Sequence, residues 1–385
     1  MTPFVFNTTR CVQFGAGSLA RLGELTVAQL GTRVMLVTDP GMMATGIVER
    51  TLTLLKDAGV VVTLFSDVQA DPPEHVIEAA AEVARSAGVQ GIVGLGGGSS
   101  LDVAKLVALL AVGAEQLRDI YGVGNVKGPR LPLILVPTTA GTGSEVTPIS
   151  IVTTGAAEKM GVVSPVLLPD VALLDPDLTL ALPAHVTAAV GIDAMVHAIE
   201  AYASASANNN PISRNLALQA LRLLGGAILK AVHTGSDAAA RGDMLLGSML
   251  AGQAFANSPV AAVHALAYPL GGHFHIPHGL SNALVLPHVL RFNAVTAPSA
   301  YAEMAPHAFP NLERLQGEDR AMAFCEALAD LSRACGLPQT LREMDIQLEW
   351  LPKLARDAMN QTRLLVNNPR PLLEADAFAI YSAAY

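Results

Sequence analysis

The sequence predicts an α/β domain over residues 1–180, followed by an all-helical domain over residues 181–385. Three observations predict this division. The chain has 385 residues, which is too long for one ordinary hydrophobic core. Its first half alternates short β-branched runs with amphipathic stretches, whereas its second half is rich in Ala and Leu. Because no low-complexity linker marks the change, the boundary rests on composition alone.

Short apolar runs in the first half are the predicted strands, at residues 12–14, 33–39, 60–65, 91–96 and 132–138. Amphipathic stretches such as ERTLTLLKDAG and EHVIEAAAEVARSAG lie between them. Strand–helix–strand alternation of this kind indicates a parallel sheet covered by helices. A further extended segment, residues 164–176, closes this half.

The second half predicts a bundle of helices. Stretches such as NLALQALRLLGGAILKAV and GDMLLGSMLAGQAFA have the composition of buried helices. We expect breaks at Pro211, Pro259, Pro269 and Pro277, because proline cannot donate the helical backbone hydrogen bond.

Composition argues against several classes of protein. A formal net charge of −9 disfavours a surface for nucleic acid or anionic membrane. Hydrophobic residues make up 51% of the chain, but no uninterrupted apolar run approaches the ~18 residues of a membrane-spanning helix. The three cysteines, Cys11, Cys325 and Cys335, form no CxxC pair, and the N-terminus does not resemble a secretory signal. These features predict a cytoplasmic protein with reduced thiols and no membrane partner.

A glycine-rich turn after the fourth predicted strand is a candidate phosphate-binding loop. In GIVGLGGGSSLDVAK, the glycines at 96–98 allow a phosphate to approach the backbone closely. Ser99 is a candidate helix N-cap, which Asp102 completes as an S-x-x-D box. Free amides at a helix start favour a diphosphate. An ordinary tight turn explains the same pattern, and the spacing differs from the G-x-G-x-x-G fingerprint.

A second polar loop follows the next predicted strand. The segment VPTTAGTGSEVTPIS presents Thr138, Thr139, Thr142 and Ser144 among glycines. Their hydroxyls and amides can bind phosphate, ribose or the amide of a nicotinamide, although a polar loop without a ligand has the same composition. Two such loops after consecutive parallel strands favour a ligand, because ligands bind where the carboxyl ends of the strands converge.

Asp39 ends the run RVMLVTD. A carboxylate at this position accepts a hydrogen bond from a ribose hydroxyl and repels a 2′-phosphate, which favours NAD over NADP. The alternative is an Asp that initiates a turn before Pro40-Gly41.

One carboxylate and three imidazoles in the second half form a candidate metal site: Asp193, His197, His264 and His278. Asp193 and His197 are four residues apart in GIDAMVHAIEAYAS, which puts them on one helix face. His278 follows Pro277 in the first turn of a new predicted helix. Three neutral nitrogens and one anionic oxygen suit a divalent transition ion that also accepts a substrate oxygen. Single histidines are equally explained as core residues or as part of a solvated loop, but a buried carboxylate without a partner is costly.

Together these motifs resemble the iron-containing (group III) alcohol dehydrogenase family. The resemblance is carried by GIDAMVHAIEAYAS, HALAYPLGGHFHIPHGLSNALVLPHVLRFN, PTTAGTGSE and GGGSSLDVAK. It extends nearly end to end, through FGAGS, LVTDPGM, KMGVVSPVLLPDVALLDP and VNNPR. It implies the dehydroquinate synthase-like fold of that family, in which an α/β dinucleotide-binding domain precedes an all-α metal-binding domain.

The resemblance also implies an activity and the residues that carry it. The chain is expected to transfer a hydride between a small alcohol and NAD, or to an aldehyde or ketone in reverse, as a homodimer. The implied metal ligands are Asp193, His197, His264 and His278, which hold iron(II) in the family and also suit zinc. The candidate cofactor contacts are Asp39, Gly97, Gly98, Ser99, Asp102, Thr138, Thr139, Thr142 and Lys159.

One position departs from the family pattern. Many members have a second histidine four residues after the third ligand, as a candidate proton relay, where this chain has Tyr268. A phenol donates and accepts hydrogen bonds, but its ordinary pKa near ~10 makes it a poor base at neutral pH. Tyr268 is a candidate catalytic residue because of its position in the motif. Since a phenol is a poor base, a proton relay through solvent or the ribose hydroxyl is favoured over one through the phenol alone.

Alternative activities share parts of the pattern. They are a hydroxyacid–oxoacid transhydrogenase, a maleylacetate-reductase-like oxidoreductase, a dehydroquinate-synthase-like lyase and a dinucleotide sensor without catalysis. A lyase acting on a phosphorylated substrate needs several basic residues, and residues 181–290 contain few. The carboxylate at Asp193 argues against a maleylacetate reductase, and the complete set of four ligands argues against a sensor.

Overall fold

The computed structural model describes residues 3–155 and 158–385. The described chain divides into two compact units. The first unit comprises residues 7–139 and 143–181. The second comprises residues 182–385 together with 140–142 and the N-terminal stretch that ends at Phe6.

The first unit is built on two sheets flanked by helices. Its strands are β1 Cys11–Phe14, β2 Arg33–Val37, β3 Val61–Phe65, β4 Gly91–Gly96, β5 Gly122–Val123, β6 Leu133–Pro137, β7 Ile149–Thr154, β8 Glu158–Val163 and β9 Val171–Leu174. Its helices are α1 Leu22–Gln29, α2 Pro40–Met43, α3 Ile47–Asp57, α4 Glu74–Ser86 and α5 Gly98–Leu110. The larger sheet has six strands in the order β1-β9-β6-β4-β2-β3, and all of its pairs are parallel.

Strand β2 shows why the sheet is covered on both faces. Met35 and Val37 belong to the apolar cluster that includes residues of α4 and α5. Val34 and Leu36 belong to the cluster on the opposite face, with residues of α1 and α3. Because both faces are buried, β2 has a continuous apolar sequence and not an alternating one, as parallel strands usually do.

The predicted parallel sheet is confirmed, whereas the smaller sheet was missed. Each predicted run overlaps a strand of the parallel sheet, and the extended segment at 164–176 contains β9. The smaller sheet has the order β5-β8-β7, and its strands β7 and β8 form an antiparallel hairpin. Strand β7 begins at Ile149, inside the 136–150 segment that the sequence predicts to be a ligand loop. Residues 156 and 157, which connect β7 to β8, lie outside the described residues.

The regular elements of the second unit are all helices among its described residues, as predicted. Its helices are α6 Ala184–Ala203, α7 Pro211–His233, α8 Ala238–Asn257, α9 Ala262–Phe274, α10 His278–Ala294, α11 Pro298–Ala308, α12 Gly317–Ala334, α13 Leu351–Ala358, α14 Thr362–Leu365 and α15 Glu374–Ala383. Helices α6 and α7 are long and apolar enough, by length and composition, to cross a membrane. Neither helix is an uninterrupted apolar run, so the sequence pattern did not indicate these two segments. Of the most apolar 18-residue stretch of α6, 89% is buried within the structure, as in a core helix. In the corresponding stretch of α7, 44% is buried.

Three of the four predicted helix breaks are correct. Pro211 is the first residue of α7, Pro259 lies between α8 and α9, and Pro277 directly precedes α10. The break predicted at Pro269 is wrong, because this proline lies inside α9. Burial of the surrounding helix, with Leu266 and Leu270 fully buried, outweighs the loss of one backbone hydrogen bond.

Candidate metal centre and nucleotide loops

Three helices of the second unit bring the four predicted ligands together. Asp193 and His197 lie on α6, His264 lies on α9, and His278 is the first residue of α10. Their ligand atoms all lie within 4.8 Å of one another. The distance from Asp193 Oδ1 to Nε2 is 3.9 Å for His197 and for His264, and 3.8 Å for His278. The first three side chains are buried and His278 is half-buried.

A glycine allows the close approach of α10 to α6. A Cβ atom at Gly279 would lie 2.5 Å from the carbonyl oxygen of Ala189 and 3.3 Å from Cβ of Asp193. Any larger residue at this position would therefore push the two helices apart. Since Gly279 directly follows His278, this contact sets the position of that imidazole relative to Asp193.

Partners outside the cluster fix the orientation of two imidazoles. His197 Nδ1 lies 3.2 Å from the carbonyl oxygen of Gly141, and His264 Nδ1 lies 2.6 Å from Oε2 of Glu200. A carbonyl or an ionised carboxylate only accepts, so each Nδ1 carries the proton and donates. The lone pair of each Nε2 is then directed at the cluster, as in histidines that bind metals.

Asn282 contacts the cluster from α10. Its Nδ2 donates to Asp193 Oδ1 at 2.6 Å and lies 3.3 Å from Nε2 of His264 and of His278. Asn282 and Glu200 were missed in the sequence, although helical spacing contains a signal for both. Asn282 follows His278 by four residues, and Glu200 follows His197 by three, which puts each on the face of a predicted ligand.

Burial and the contacts within the cluster together shift the pKa values of its residues. Burial lowers the pKa of His197 to about 3, so this imidazole is neutral at physiological pH. For Asp193, burial alone would raise the pKa, but the neighbouring histidines and the Asn282 amide lower it below its ordinary value. Two atoms bound ~2.0–2.2 Å from one ion are roughly 3–4.4 Å apart, and the three distances from Asp193 fall in this range. The donor set therefore fits a divalent transition ion.

Tyr268, the candidate proton relay, lies one turn after His264 on α9 and is half-buried. Its ring centroid is 5.9 Å from that of His278. The structure thus brings the phenol next to the cluster.

In the first unit, Asp39 is the N-cap of α2. Its Oδ1 accepts from the amide of Met42 at 3.1 Å, and its Oδ2 accepts from Oγ of Ser100 at 2.9 Å. The interpretation of Asp39 as a turn-initiating residue is therefore correct. It does not exclude a ribose contact, because each carboxylate oxygen can accept a second hydrogen bond.

The capping box predicted at the glycine loop is wrong. Helix α5 begins at Gly98 with Gly97 as its N-cap, and no side chain caps it, so Ser99 lies inside the first turn. The reason is that the extended backbone of Gly97 already starts the helix one residue before the serine. Asp102 instead accepts from the amide of Ile151 at 2.9 Å and from Oγ of Ser144 at 2.6 Å. These contacts tie α5 to the 144–151 segment.

Other candidate cofactor residues lie in three places. Gly97, Thr138 and Thr139 directly follow the carboxyl ends of the neighbouring strands β4 and β6, as Asp39 does near the end of β2. Thr142 belongs to the short segment 140–142 that clusters with the helical unit. Lys159 lies on β8 of the smaller sheet, where Nζ pairs with Asp71 Oδ1 at 2.7 Å and donates to Thr153 Oγ1 at 2.9 Å.

Comparison with known proteins identifies the family. The family model "Iron-containing alcohol dehydrogenase" matches residues 9–176, and "Fe-containing alcohol dehydrogenase family, C-terminal" matches residues 187–385. The chain belongs to the iron-containing alcohol dehydrogenase family.

Relatives and solved structures agree with this assignment. The chain is 43% identical to long-chain-alcohol dehydrogenase 1 of Geobacillus thermodenitrificans, over 96% of this chain and 94% of the relative. It is 33% identical to the NAD-dependent methanol dehydrogenase of Bacillus methanolicus, over 91% and 93% of the two chains. A crystal structure of 1,3-propanediol oxidoreductase superposes with a TM-score of 0.95 at 35% identity and covers 100% of both chains. The predicted family, fold class and enzyme class, an alcohol dehydrogenase, are confirmed.

Proposed function

We propose that this chain is a metal-dependent alcohol dehydrogenase that transfers a hydride between a small alcohol and NAD, and in reverse from NADH to an aldehyde or ketone. The observation that carries the proposal is the buried cluster of one carboxylate and three imidazoles, with ligand atoms within 4.8 Å of one another. Family membership and a relative named for its dependence on NAD support it.

In this proposal, Asp193, His197, His264 and His278 hold the ion, and residues 181–385 form the metal-binding and catalytic domain. When bound, the ion supplies positive charge that holds the substrate oxygen and lowers the pKa of the alcohol. Asp193 contributes one negative charge, and the imidazoles bind without a proton to displace. Phe255 stacks on His197 with ring centroids 4.4 Å apart and so shields one side of the cluster from water.

Tyr268 is the proposed residue for handling the substrate proton. Its hydroxyl can donate or accept a hydrogen bond beside His278, which suits a relay that passes the proton on to solvent. A nucleophilic residue is not needed for hydride transfer. The buried cysteines agree with this, because burial raises the pKa of Cys325 to about 12 and that of Cys335 to about 11, which keeps both thiols protonated.

Residues 1–180 are proposed to bind the NAD. The uncapped start of α5 at Gly97 and Gly98 offers backbone amides to the diphosphate, with Ser99 beside them. Asp39 is proposed to accept from the ribose. Thr138, Thr139, Thr142 and Lys159 are the other proposed contacts, whereas Asp102 is proposed to act by holding the 144–151 segment in place.

The finer properties rest on the family and on composition. We propose iron(II) as the ion, with zinc as the alternative that the same ligands accept. We propose a homodimer in the cytoplasm that binds neither nucleic acid nor membrane. The net charge of −9 supports the absence of a surface for nucleic acid or anionic membrane, and the three free cysteines support a cytoplasmic location.

A substrate panel tests the proposed function. The purified chain is loaded with iron(II) or zinc and given NAD or NADP with alcohols from methanol to long-chain alcohols, diols and hydroxy acids. We expect steady formation of NADH that requires the added ion. Turnover of a hydroxy acid only with an oxo acid as acceptor would instead identify a transhydrogenase. Absence of NADH and NADPH formation with every alcohol and both ions would overturn the proposal.

A further inference from the structure

Glu200 is a buried carboxylate that contacts a proposed ligand and the backbone beside it. It lies on α6 and is 6% exposed. Its Oε2 is 2.6 Å from Nδ1 of His264, and its Oε1 accepts from the amide of Val263 at 2.6 Å. Among the described residues, the basic side chain that contacts this carboxylate is His264 itself, and no Arg or Lys does so. Both oxygens therefore serve to hold the first turn of α9.

A buried carboxylate with these partners needs a compensating positive charge. Burying a carboxylate is costly unless it is paired and hydrogen-bonded, and the amide of Val263 and a neutral imidazole N–H would supply hydrogen bonds but no charge. A divalent ion held by Asp193, His197, His264 and His278 would supply positive charge next to this carboxylate.

We infer that Glu200 is a positioning residue for the metal site, which acts through His264. It keeps the proton of His264 on Nδ1, fixes the plane of the ring and makes Nε2 a stronger ligand, as carboxylates behind metal-binding histidines do. This inference rests on the metal site proposed above. His197 provides an internal contrast, because its Nδ1 faces the neutral carbonyl of Gly141 at 3.2 Å. Of these two imidazoles, His264 is then the more strongly activated ligand.

The substitution Glu200→Gln tests the inference. A carboxylate accepts two hydrogen bonds here, whereas an amide has one acceptor oxygen, so one of the two N–H donors would face an NH₂ group. We expect the dissociation constant for zinc, measured by competition with a chromophoric chelator, to rise about 10–100-fold. The dissociation constant for NAD should stay unchanged.

A second histidine–carboxylate pair provides the matched control. Asp357 Oδ2 lies 2.6 Å from Nε2 of His273 in the same unit, and neither residue belongs to the four-residue cluster. Asp357→Asn should leave the affinity for zinc at the wild-type value. If Glu200→Gln binds zinc as tightly as the wild type, or if Asp357→Asn weakens binding equally, Glu200 has no specific role. A wild-type chain that binds no zinc would overturn the metal site itself, which is a different result.

Nitrogen-15 NMR of the wild-type imidazoles keeps the inference testable if the Glu200 variant does not fold. In the wild-type protein without metal, His264 should carry its proton on Nδ1. A proton on Nε2 would overturn the inference, because Glu200 would then face an unprotonated nitrogen.

Discussion

Asp39 has the capping role that was one of the two alternatives left open by the sequence, and its cofactor role stays a proposal. It caps α2 through Met42 and accepts from Ser100, which holds the carboxylate near the end of β2. Such a fixed carboxylate is well suited to select between cofactors. In the proposed complex with NAD, its negative charge would oppose a 2′-phosphate, and its fixed position would make the proposed ribose contact specific.

Substitution of Asp39 by Gly should raise the preference for NADP. A like-charge contact costs several kcal/mol, and each ~1.4 kcal/mol is a factor of ten. We therefore expect the ratio of kcat/KM for NADP to that for NAD to increase tenfold or more. Asp39→Ser is the control, since serine still caps the helix but carries no charge. If both variants keep the wild-type ratio, Asp39 does not select the cofactor.

At the scale of residues, chemistry that depends on side-chain type and helical spacing was predictable. Asp193 and His197 follow from a spacing of four, and His278 from its place at a helix start. The roles of Glu200 and Asn282 depend on how α9 and α10 pack against α6, which the sequence does not specify. The prediction of Ser99 as the N-cap of α5 was also wrong. Serine and glycine both suit a helix start, and the extended backbone of Gly97 makes that glycine the N-cap.

At the scale of elements, the close contact of α10 with α6 should be sensitive to one methyl group. Gly279→Ala would place Cβ 2.5 Å from the carbonyl oxygen of Ala189. We expect the free energy of unfolding to fall by about 1–3 kcal/mol, as for other overpacked sites. The affinity for zinc should fall as well, because His278 moves away from Asp193. Denaturant unfolding and chelator competition measure the two effects.

Gly226 provides the control for that substitution. It lies exposed on α7, and a Cβ atom there meets nothing within 4 Å. Gly226→Ala should therefore raise the stability by about 0.5–1 kcal/mol, as expected for glycine in a helix, and leave the affinity for zinc unchanged. Equal effects of the two substitutions would show that the α6–α10 contact is not special.

The segment after β6 contains a buried acid, Glu145, whose titration should affect stability. Burial raises its pKa to about 7 from an ordinary 4.5, against the opposing charge of Lys105. Between these pH values the folded chain binds a proton that the unfolded chain has released. The free energy of unfolding therefore decreases as the pH rises from about 4.5 to 7.

Glu145→Gln should remove this part of the pH dependence. Since one pH unit of displacement is worth about 1.4 kcal/mol, the loss in the wild type amounts to about 3 kcal/mol at most. Denaturant unfolding at pH 5 and pH 8 measures it. We expect the variant to gain stability relative to the wild type at the higher pH. An unchanged difference between the two proteins across this range would assign the pH dependence to other groups.

Elements with a clear periodicity were predicted well, and those that depend on packing were not. Continuous apolar runs such as that of β2 predicted the parallel sheet, because strands that are buried on both faces are apolar along their length. Helix α9 continues through Pro269 because its surroundings are apolar, although local propensity predicts a break there. The β7–β8 hairpin was missed because β7 begins at the end of the polar, glycine-containing segment 136–150. The composition of that segment predicts a loop and not a strand.

At the scale of the whole molecule, the change in composition near residue 180 predicted the order of an α/β part and a helical part. It did not predict that residues 140–142 cluster with the helical unit. A segment of three residues is too short to change the local composition. One of them, Gly141, accepts the hydrogen bond from His197, so a short segment outside the helices orients a proposed ligand.

The division into two units leads to a last prediction about binding. All four proposed metal ligands lie in the helical unit, whereas Asp39 and the start of α5 lie in the other unit. Zinc should therefore slow amide hydrogen exchange in α6, α9 and α10, and NAD should slow it near α2 and α5. At 100 times its dissociation constant, a ligand stabilises the folded state by about 2.7 kcal/mol, which corresponds to roughly 100-fold slower exchange wherever exchange requires unfolding of that unit.

His264→Ala should lose the protection by zinc and nearly all turnover, yet keep the protection by NAD. Protection of the variant by zinc to the wild-type extent would remove His264 from the site, whereas loss of both protections would mean that the substitution had damaged the fold.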